Sequence, residues 1–181
     1  DRPGGMPRYG IPEYRLPYDR LDADIDVIRA MGVEIRCNTW IGRDITLAEI
    51  QQEHDAVLLG LGMQLGRSTR IPGSEHAGVV KAVDVLRDVT AEIPTTVPTS
   101  AVVIGGGNVA MDTARTLARL QKQVHGEVRV TVSALEDFAH FLADDEEVRE
   151  AREEGVEILD SRGPKACVVE DGRLAGLTTL K

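Results

Sequence analysis

The alternation of apolar and polar positions predicts strands and helices in turn. Residues 101–104 form a short run of apolar, mostly β-branched side chains, typical of a strand buried on both faces. Small and apolar side chains then recur at helical spacing over 110–121, so a helix should follow and lay one face on the sheet. Lys122, His125 and Gly126 predict where that helix ends.

The same pattern continues towards the end of the chain. It predicts strands at 127–133 and 156–159, with a helix over 143–155 between them. That helix offers few apolar positions, so we expect it to be largely solvated, with its acidic run as a face turned to water and a partner site as the alternative. An Asp-Gly pair between apolar flanks then predicts a β-hairpin at 167–177.

The first half of the chain carries weaker versions of this pattern. Residues 4–17 are dense in proline and glycine, which predicts an ordered loop rather than a helix, packed on a flat and partly apolar surface. Thr46 and Glu49 have the spacing of a capping box. The predicted elements are a helix over 22–31, a strand over 33–38, a short helix within 42–50, a strand over 55–62, turns over 70–79 and a helix over 83–89.

A polar, proline-broken stretch at 95–100 is the best candidate for a domain boundary. The tetrapeptide Gly-Val-Glu-Ile occurs on both sides of it, at 32–35 and 155–158, each time where a helix gives way to a strand. Two such occurrences indicate two related α/β units, the first represented only by its later part. We therefore predict an α/β fold, a Rossmann-like doubly wound parallel sheet with a β-hairpin, divided into residues 1–95 and 96–181.

The turn after the strand at 101–104 carries small residues at G-x-G-x-x-A spacing. Gly105 suits a tight turn, Gly107 lets the backbone approach a pyrophosphate, and Ala110 allows close packing of helix on strand. The free N–H groups and the dipole of the following helix also attract an anion. The alternative is a glycine-rich turn that holds no ligand. The predicted dinucleotide-binding residues are Gly105, Gly106, Gly107, Asn108, Val109 and Ala110.

Composition and charge narrow the class of protein. The 181 residues are 42% apolar and carry a net charge of −9, which speaks against nucleic acid as a partner. No apolar run approaches the roughly 20 residues that a bilayer needs, so no membrane insertion is expected. Cys37 and Cys167 are isolated, which excludes a CxxC motif in this chain and favours a reducing, cytoplasmic setting. The four histidines show no metal-ligand spacing, so no metal site is predicted.

Several strings of this sequence, taken in order, resemble one family. They are Arg8-Tyr-Gly-Ile-Pro-Glu-Tyr-Arg-Leu-Pro17, Gly32-Val-Glu-Ile-Arg36, Ile41-Gly-Arg-Asp-Ile45, Asp55-Ala-Val57, Ile71-Pro-Gly73 and Val103-Ile-Gly-Gly-Gly-Asn-Val-Ala-Met-Asp112. The family is that of the glutamate synthase small-subunit-like flavoproteins, which are related to the pyridine nucleotide-disulfide oxidoreductases. Its members are NAD(P)H-dependent, FAD-containing oxidoreductases with two dinucleotide-binding domains.

The resemblance implies a role for each half of the chain. Residues 1–95 would be a partial FAD-binding domain segment, and residues 96–181 an NAD(P)-binding Rossmann-like domain, incomplete at its C-terminus. Family members also carry an upstream iron–sulfur segment, a first G-x-G-x-x-G for FAD and a downstream Gly-Asp motif, so we expect this chain to be a fragment of the active enzyme. By resemblance, the residues that line the flavin are Tyr9, Gly10, Ile11, Pro12, Arg15, Leu16, Gly60, Leu61 and Gly62.

The function implied by the resemblance is oxidoreduction. NAD(P)H would pass hydride to FAD, and electrons would leave through iron–sulfur centres to a partner subunit or domain. No side chain is predicted to act as a covalent catalyst. The rival hypothesis is a non-catalytic module that binds a dinucleotide for redox sensing or interaction, and a third is a structural domain with an empty glycine loop. A flavin in the intact protein would separate the first from the other two.

The residues after the second strand of the NAD(P) domain bear on the choice of cofactor. Many relatives have two arginines there for the 2′-phosphate of NADP, whereas this chain has Leu135 and Glu136. A carboxylate can accept hydrogen bonds from the ribose 2′-OH of NAD and repels a 2′-phosphate, so Glu136 is predicted to favour NAD. The alternative is a solvated loop carboxylate. Phe138 and Phe141 are expected to pack in the core, with a nicotinamide cover or a docking patch as the alternative.

Overall fold

A computed structural model describes residues 2–181 of the chain. Its helices are α1 (Gly5–Tyr9), α2 (Tyr18–Ala30), α3 (Leu47–Glu53), α4 (Ala82–Thr90), α5 (Asn108–His125) and α6 (Asp145–Glu153), and a 3-10 turn covers Phe138–His140. Its strands are β1 (Ala101–Ile104), β2 (Val130–Ser133), β3 (Glu157–Leu159), β4 (Gly163–Glu170) and β5 (Arg173–Leu180). The predicted α/β fold class is confirmed.

The strands β1, β2 and β3 form a parallel sheet in that order. Ala101 pairs with Val130, and Val132 pairs with Ile158. Parallel neighbours need a crossover connection, and helices α5 and α6 supply the two crossovers. The carboxyl ends of the three strands therefore meet at one edge of the sheet, which is where ligands bind in open α/β sheets.

The core lies between this sheet and the two crossover helices. Ala114 and Ala118 belong to the predicted stripe on α5, and together with Met111, which the prediction did not include, each is at most 1% exposed. They pack in one cluster with Val130 and Val132 of the central strand. The alanines on this buried face let the helix approach the sheet closely, because their methyl side chains are small.

Strand β1 is buried on one face only, so the prediction of a doubly buried strand is wrong. Val103 joins the core, whereas Val102 is 47% exposed. Successive side chains of a strand point to opposite faces, and Val102 lies on the face turned away from the core cluster.

The predicted β-hairpin is confirmed and is longer than expected. Strands β4 and β5 pair antiparallel across residues 163–180. Asp171 and Gly172 have φ values of 48° and 73°, the left-handed conformation that a type I′ turn requires at both central positions.

The hairpin also contacts the first half of the chain. The amide of Cys167 donates to the carbonyl oxygen of Pro72 at 2.8 Å, and the His76 ring lies 3.2 Å from the carbonyl oxygen of Gly172. A Cβ placed on Gly73 would lie 2.8 Å from the carbonyl oxygen of Cys167, so only glycine fits in this contact.

The two strands predicted in the first half do not form. Residues 33–38 and 55–62 enter no strand ladder with any part of the described chain. Leu58, Leu59 and Leu61 are 96%, 62% and 72% exposed. A strand needs a neighbour to satisfy its backbone N–H and C=O groups, and residues 2–181 supply none for these two segments.

The helices of the first half follow the pattern more closely. Helix α2 begins four residues before its predicted start and ends one residue early, and α4 covers the predicted segment. The capping box on α3 is confirmed, since Thr46 Oγ1 accepts from the Glu49 amide at 3.2 Å and Glu49 Oε2 accepts from the Thr46 amide at 2.8 Å.

The segment at 4–17 differs from its prediction in two ways. It contains the short helix α1, and it makes contacts with charged side chains of α5, through Arg15 and Tyr14, that the prediction did not include. Arg8 is 2% exposed, pairs with Asp22, and lies 5.5 Å from the Tyr18 ring centre.

The single tryptophan lies in an exposed turn of the first half. Trp40 is 67% exposed, and the Arg43 guanidinium lies 5.1 Å from its ring centre. A bridge between Ile41 and Ile45 closes the turn. Within residues 2–181, no helix combines the length and apolar character that crossing a membrane requires.

Candidate dinucleotide-binding site

The glycine loop begins where β1 ends. Gly105 has a φ of 131°, which side chains rarely allow, and its amide donates to the carbonyl oxygen of Ser133 at 2.9 Å. This bond attaches the first residue of the loop to the end of β2. A Cβ on Gly105 would lie 3.6 Å from the Cβ of Ala110, so the small residues bring strand and helix into ordinary contact.

The N-terminus of α5 is open at Gly107. This residue is the N-cap, its backbone is extended, and no side chain caps the helix there. A Cβ on Gly107 would meet nothing nearer than the Cβ of Leu142 at 4.0 Å. The first amides of a helix have no intrahelical acceptor, so those of Asn108 and Val109 are free to bind an anion. The space and the donors fit a phosphate group.

Asn108 ties the start of α5 to the start of α6. Its amide nitrogen donates to Asp144 Oδ2 at 3.0 Å, and its oxygen accepts from the Asp144 backbone amide at 2.9 Å. Asp144 is the N-cap of α6, but its carboxylate accepts a hydrogen bond from Asn108 and none from the amides of its own helix. The N-termini of two helices therefore lie side by side at the carboxyl edge of the sheet.

Glu136 lies against the middle of the glycine loop. A Cβ on Gly106 would be 3.1 Å from Glu136 Oε2 and 3.2 Å from the Cβ of Ala134. The Gly106 carbonyl oxygen accepts from the Ala143 amide at 2.9 Å. The structure thus brings Glu136 and the loop together, whereas Leu135 beside it is 69% exposed.

Two residues of the segment at 9–16 reach helix α5. Arg15 Nη1 lies 3.0 Å from each carboxylate oxygen of Asp112, and its Nε lies 2.9 Å from Glu147 Oε1. The ring of Tyr14 lies under the guanidinium groups of Arg115 and Arg119, at 4.7 and 3.7 Å. Arg15 was predicted to line the flavin, and here its guanidinium is engaged by two carboxylates.

Burial shifts the pKa of two groups at this contact. Desolvation raises the pKa of Tyr14 to about 12. Desolvation also raises the pKa of the Asp112 carboxyl above its usual value, and the hydrogen bond and charge of Arg15 oppose that rise. Asp112 is therefore a buried carboxylate whose ionised form depends on Arg15.

Arg115 is the centre of a buried ion cluster that the sequence reading missed. Its side chain is 4% exposed and lies within 2.8 Å of carboxylate oxygens of Glu147, Glu150 and Glu154. Arg119 shares Glu154 at 2.7 Å. Burial lowers the pKa of Arg115, but the hydrogen bonds that it donates to Glu154 and Glu147, together with nearby negative charge, outweigh this and raise it overall.

The prediction that the acidic run of α6 forms a solvated face therefore holds for only part of it. Glu147, Glu150 and Glu154 face α5, while Asp145, Glu146 and Glu153 are exposed. The signal was present in the spacing, because positions 147, 150 and 154 share one helix face and Arg115 and Arg119 are one turn apart.

The remaining predicted residues are spread over two environments. Gly10 and Pro12 are buried in the segment before α2, with Tyr9, Ile11 and Leu16 partly exposed beside them. Gly60, Leu61 and Gly62 lie in an exposed stretch without helix or strand, and the structure does not bring them to the glycine loop.

The aromatic pair lies beside the site. Phe141 packs against the core cluster, as predicted, but Phe138 remains 42% exposed, with their ring centres 5.3 Å apart. Arg152 lies 4.3 Å from the centre of the Phe138 ring. In the described part of the chain, no group of three or more histidine, cysteine or acidic residues could hold a metal ion.

Comparison with known proteins gives consistent matches along the chain. The sequence profile of a family described as pyridine nucleotide-disulphide oxidoreductase matches residues 20–180. The NAD-dependent dihydropyrimidine dehydrogenase subunit PreT of Escherichia coli strain K12 is 44% identical over 165 residues, covering 91% of this chain and 38% of that protein. The glutamate synthase [NADPH] small chain of Halomonas elongata is 34% identical over 188 residues, covering 98% of this chain and 39% of that protein.

A solved structure has the same fold. Mycobacterium tuberculosis FprA in complex with NADPH superposes with a TM-score of 0.74 and 17% sequence identity, covering 98% of this chain and 57% of that one. The chain thus spans less than two-fifths of the length of the two sequence relatives named above.

Proposed function

The chain belongs to the pyridine nucleotide-disulphide oxidoreductase family, and from this membership we propose that residues 105–110 bind the pyrophosphate of NADH or NADPH in an FAD-dependent oxidoreductase. The resemblance drawn from the sequence strings is confirmed by this membership and by the glutamate synthase small chain among the relatives. The whole protein would include parts beyond these 181 residues, since the two named relatives are more than twice as long.

The observation that carries this proposal is the open, uncapped start of α5. The absent side chain at Gly107 and the free amides of Asn108 and Val109 suit two negatively charged phosphates. The positive end of the dipole of this 18-residue helix adds to the attraction. When bound, the nicotinamide group supplies a hydride and the flavin accepts it. The chain's own residues bind and orient these groups, and none is proposed as a covalent catalyst.

The same proposal assigns the two parts of the chain. Residues 1–95 would belong to the FAD-binding domain and residues 96–181 to the NAD(P)-binding domain. Residues 9–12, 16 and 60–62 would line the flavin, while the side chain of Arg15 in the same segment is held by Asp112 and Glu147. Electrons would leave through iron–sulfur centres of another domain or subunit, in keeping with relatives named as enzyme subunits or chains. The free thiols Cys37 and Cys167 favour a reducing, cytoplasmic setting.

We propose NAD rather than NADP as the favoured nucleotide. PreT is described as NAD-dependent and the Halomonas protein as a user of NADPH, so the relatives differ in this property. The carboxylate of Glu136 lies against Gly106 and would repel a 2′-phosphate in its neighbourhood.

Parallel calorimetric titrations with NADH and NADPH test both proposals. We expect NADH to bind at least about tenfold more tightly, a difference of about 1.4 kcal/mol. Glu136→Arg should reverse the preference, with Glu153→Arg on the exposed face of α6 as the control for an added positive charge. Tighter binding of NADPH by the unaltered chain would show that the Glu136 assignment is wrong.

The titration also separates binding from catalysis. Failure of the 181-residue chain to bind either nucleotide, followed by binding in the full-length FAD-loaded protein, would mean that the site needs the flavin half. Failure in both proteins would contradict the proposed function. Nucleotide binding by a full-length protein that contains no flavin would favour a non-catalytic module.

A further inference from the structure

The side chain of Arg15 joins helix α5 to helix α6. Its Nη1 binds both oxygens of Asp112 on α5 at 3.0 Å, and its Nε binds Glu147 Oε1 on α6 at 2.9 Å. The two carboxylate side chains are only 4% and 9% exposed. One guanidinium thus bridges three separate parts of the chain.

The two carboxylates differ in how much they depend on Arg15. Glu147 has a second cation, because Arg115 Nη1 lies 2.8 Å from its other oxygen. For Asp112, Arg15 is the cation in direct contact among the described residues. A buried carboxylate without a partner is strongly unfavourable, so Asp112 holds Arg15 in place.

Tyr14 strengthens the same contact. Its ring lies against Arg115 and Arg119, and its hydroxyl lies 3.4 Å from the carbonyl oxygen of Asp112. Two consecutive residues therefore hold α5 along two turns, from residue 112 to residue 119. The segment cannot shift along or around the helix without removing the cation from the buried carboxylate of Asp112.

Asp112 lies close to the proposed phosphate-binding end of α5. It lies five residues after Gly107, about 7.5 Å along the helix from the open N-terminus at a rise of 1.5 Å per residue. Residues 9–16 are the segment that the resemblance assigns to the flavin. We propose that Arg15 is a positioning residue, which fixes the flavin-lining segment relative to the helix that holds the nicotinamide nucleotide. The inference rests on the proposed function.

This proposal predicts a specific split between binding and reaction. Arg15→Gln leaves the glycine loop intact, so the Kd for NADH should change by less than about twofold. The rate of flavin reduction at saturating NADH should fall at least about tenfold, because a misplacement of 1 Å can lower the rate about a hundredfold. Arg15→Lys keeps the charge but cannot bridge both carboxylates in the same way. Its rate of flavin reduction should therefore lie between that of the unaltered protein and that of Arg15→Gln.

The experiment uses the full-length, FAD-loaded protein and stopped-flow absorbance. The charge-transfer band between reduced flavin and oxidised nicotinamide reports ring stacking without turnover, and it should weaken in Arg15→Gln. Asp112→Asn should give the same split. Arg129→Gln is the matched control, because Arg129 pairs with Glu127 on the surface and both side chains are more than half exposed.

The outcomes separate this inference from the proposed function. Absence of NADH and NADPH binding in the unaltered protein would overturn both. Normal binding with an unchanged reduction rate and charge-transfer band in Arg15→Gln would overturn the positioning role alone. A parallel loss of binding, flavin content and thermal stability that Arg15→Lys does not restore would also overturn it, since that pattern indicates a structural ion pair.

Discussion

Gly107 is the residue at which folding and binding can be separated most cleanly. Its backbone is extended with a negative φ, and an added Cβ would meet no atom nearer than 4.0 Å. Gly107→Ala should therefore cause no clash and should lower the free energy of unfolding by no more than about 1 kcal/mol, the cost of alanine at the N-cap of α5. It should weaken nucleotide binding at least about tenfold, because the methyl group occupies space that a pyrophosphate needs.

Calorimetry and urea unfolding of the same preparation check both halves of this prediction. Gly176→Ala is the control, since Gly176 lies on the hairpin with no atom within 4 Å of an added Cβ. Equal nucleotide affinity in Gly107→Ala and Gly176→Ala would show that the loop does not approach the ligand.

Tyr14 should make the fold sensitive to alkaline pH. Its pKa is raised to about 12 by burial, while a phenol in the unfolded chain ionises near pH 10. Between these values the unfolded chain releases a proton that the folded chain keeps, so the free energy of unfolding falls as pH rises from about 10 to about 12.

Tyr14→Phe removes this dependence, and its unfolding free energy should fall less steeply over that range. Urea unfolding at about pH 8, 10 and 11 measures the slopes of both proteins. Parallel slopes would show that Tyr14 keeps no proton that the unfolded chain releases.

The residues of the buried ion cluster show where sequence reading stops. The sequence alone predicts a solvated face for Glu147, Glu150 and Glu154, because their own helix is strongly acidic and offers few apolar positions. Glu147 pairs with Arg115 and Glu154 pairs with Arg119, and in each pair the two residues are more than thirty positions apart in the sequence. Charge spacing on each helix indicates a face, but only the crossover geometry brings the two faces together.

At the scale of elements, the unit from β1 to β2 could be predicted from local signals alone. A β-branched run, a glycine loop and a periodic helix with Gly126 as its cap each specify their own conformation. The capping box of α3 and the Asp-Gly hairpin belong to the same class. Each of these elements contains its own hydrogen-bond partners or is joined to its partner by a short turn.

The two failed strands lacked such local support. Residues 33–38 and 55–62 have the composition of strands, yet a strand is completed by a neighbour rather than by its own sequence. Their exposure here follows from the absence of a pairing segment within residues 2–181. The composition of these two segments therefore indicates that they can form strands, but it does not show whether a pairing strand is present.

The hairpin turn offers a test at this scale. Gly172 has a φ of 73° and no atom within 4 Å of an added Cβ, so Gly172→Ala introduces backbone strain without a clash. We expect the free energy of unfolding to fall by about 1 kcal/mol. Gly176 lies on the same hairpin but has no left-handed backbone, so Gly176→Ala should lower the free energy of unfolding by less. Equal free energies of unfolding for the two variants in urea would contradict the prediction.

At the scale of the whole molecule, the halves are joined at three separate places, and at one of these helix α4 packs against helix α5. Tyr14 and Arg15 contact α5, and Pro72 contacts Cys167 on the hairpin. Between these contacts, residues 54–70 form neither helix nor strand. Exposed segments without regular structure are where proteases cut first.

Limited digestion with chymotrypsin should therefore begin within residues 58–65. Leu58, Leu61 and Leu65 are 96%, 72% and 83% exposed. Trp40 is nearly as exposed, but it lies in a hydrogen-bonded turn and should be cut more slowly. Mass spectrometry of early fragments identifies the cuts, and first cleavage within α5 or the hairpin would contradict the prediction.

The same digestion bears on the flavin assignment. Gly60, Leu61 and Gly62 lie inside the susceptible segment, so a flavin bound against them should protect it. Slower cleavage within 58–65 in the full-length protein with FAD than in the same protein stripped of FAD is the expected result. Equal cleavage rates would count against these three residues as flavin contacts.

The exposed turn around Trp40 determines what intrinsic emission can report. Trp40 is the single tryptophan, and it is already in contact with water and with Arg43. Its emission maximum should therefore move little when the core unfolds. Circular dichroism is the better signal for unfolding this chain. An optical probe of the glycine loop could be built by combining Trp40→Phe with Phe141→Trp, because the Phe141 ring comes within 3.5 Å of an added Cβ on Gly106.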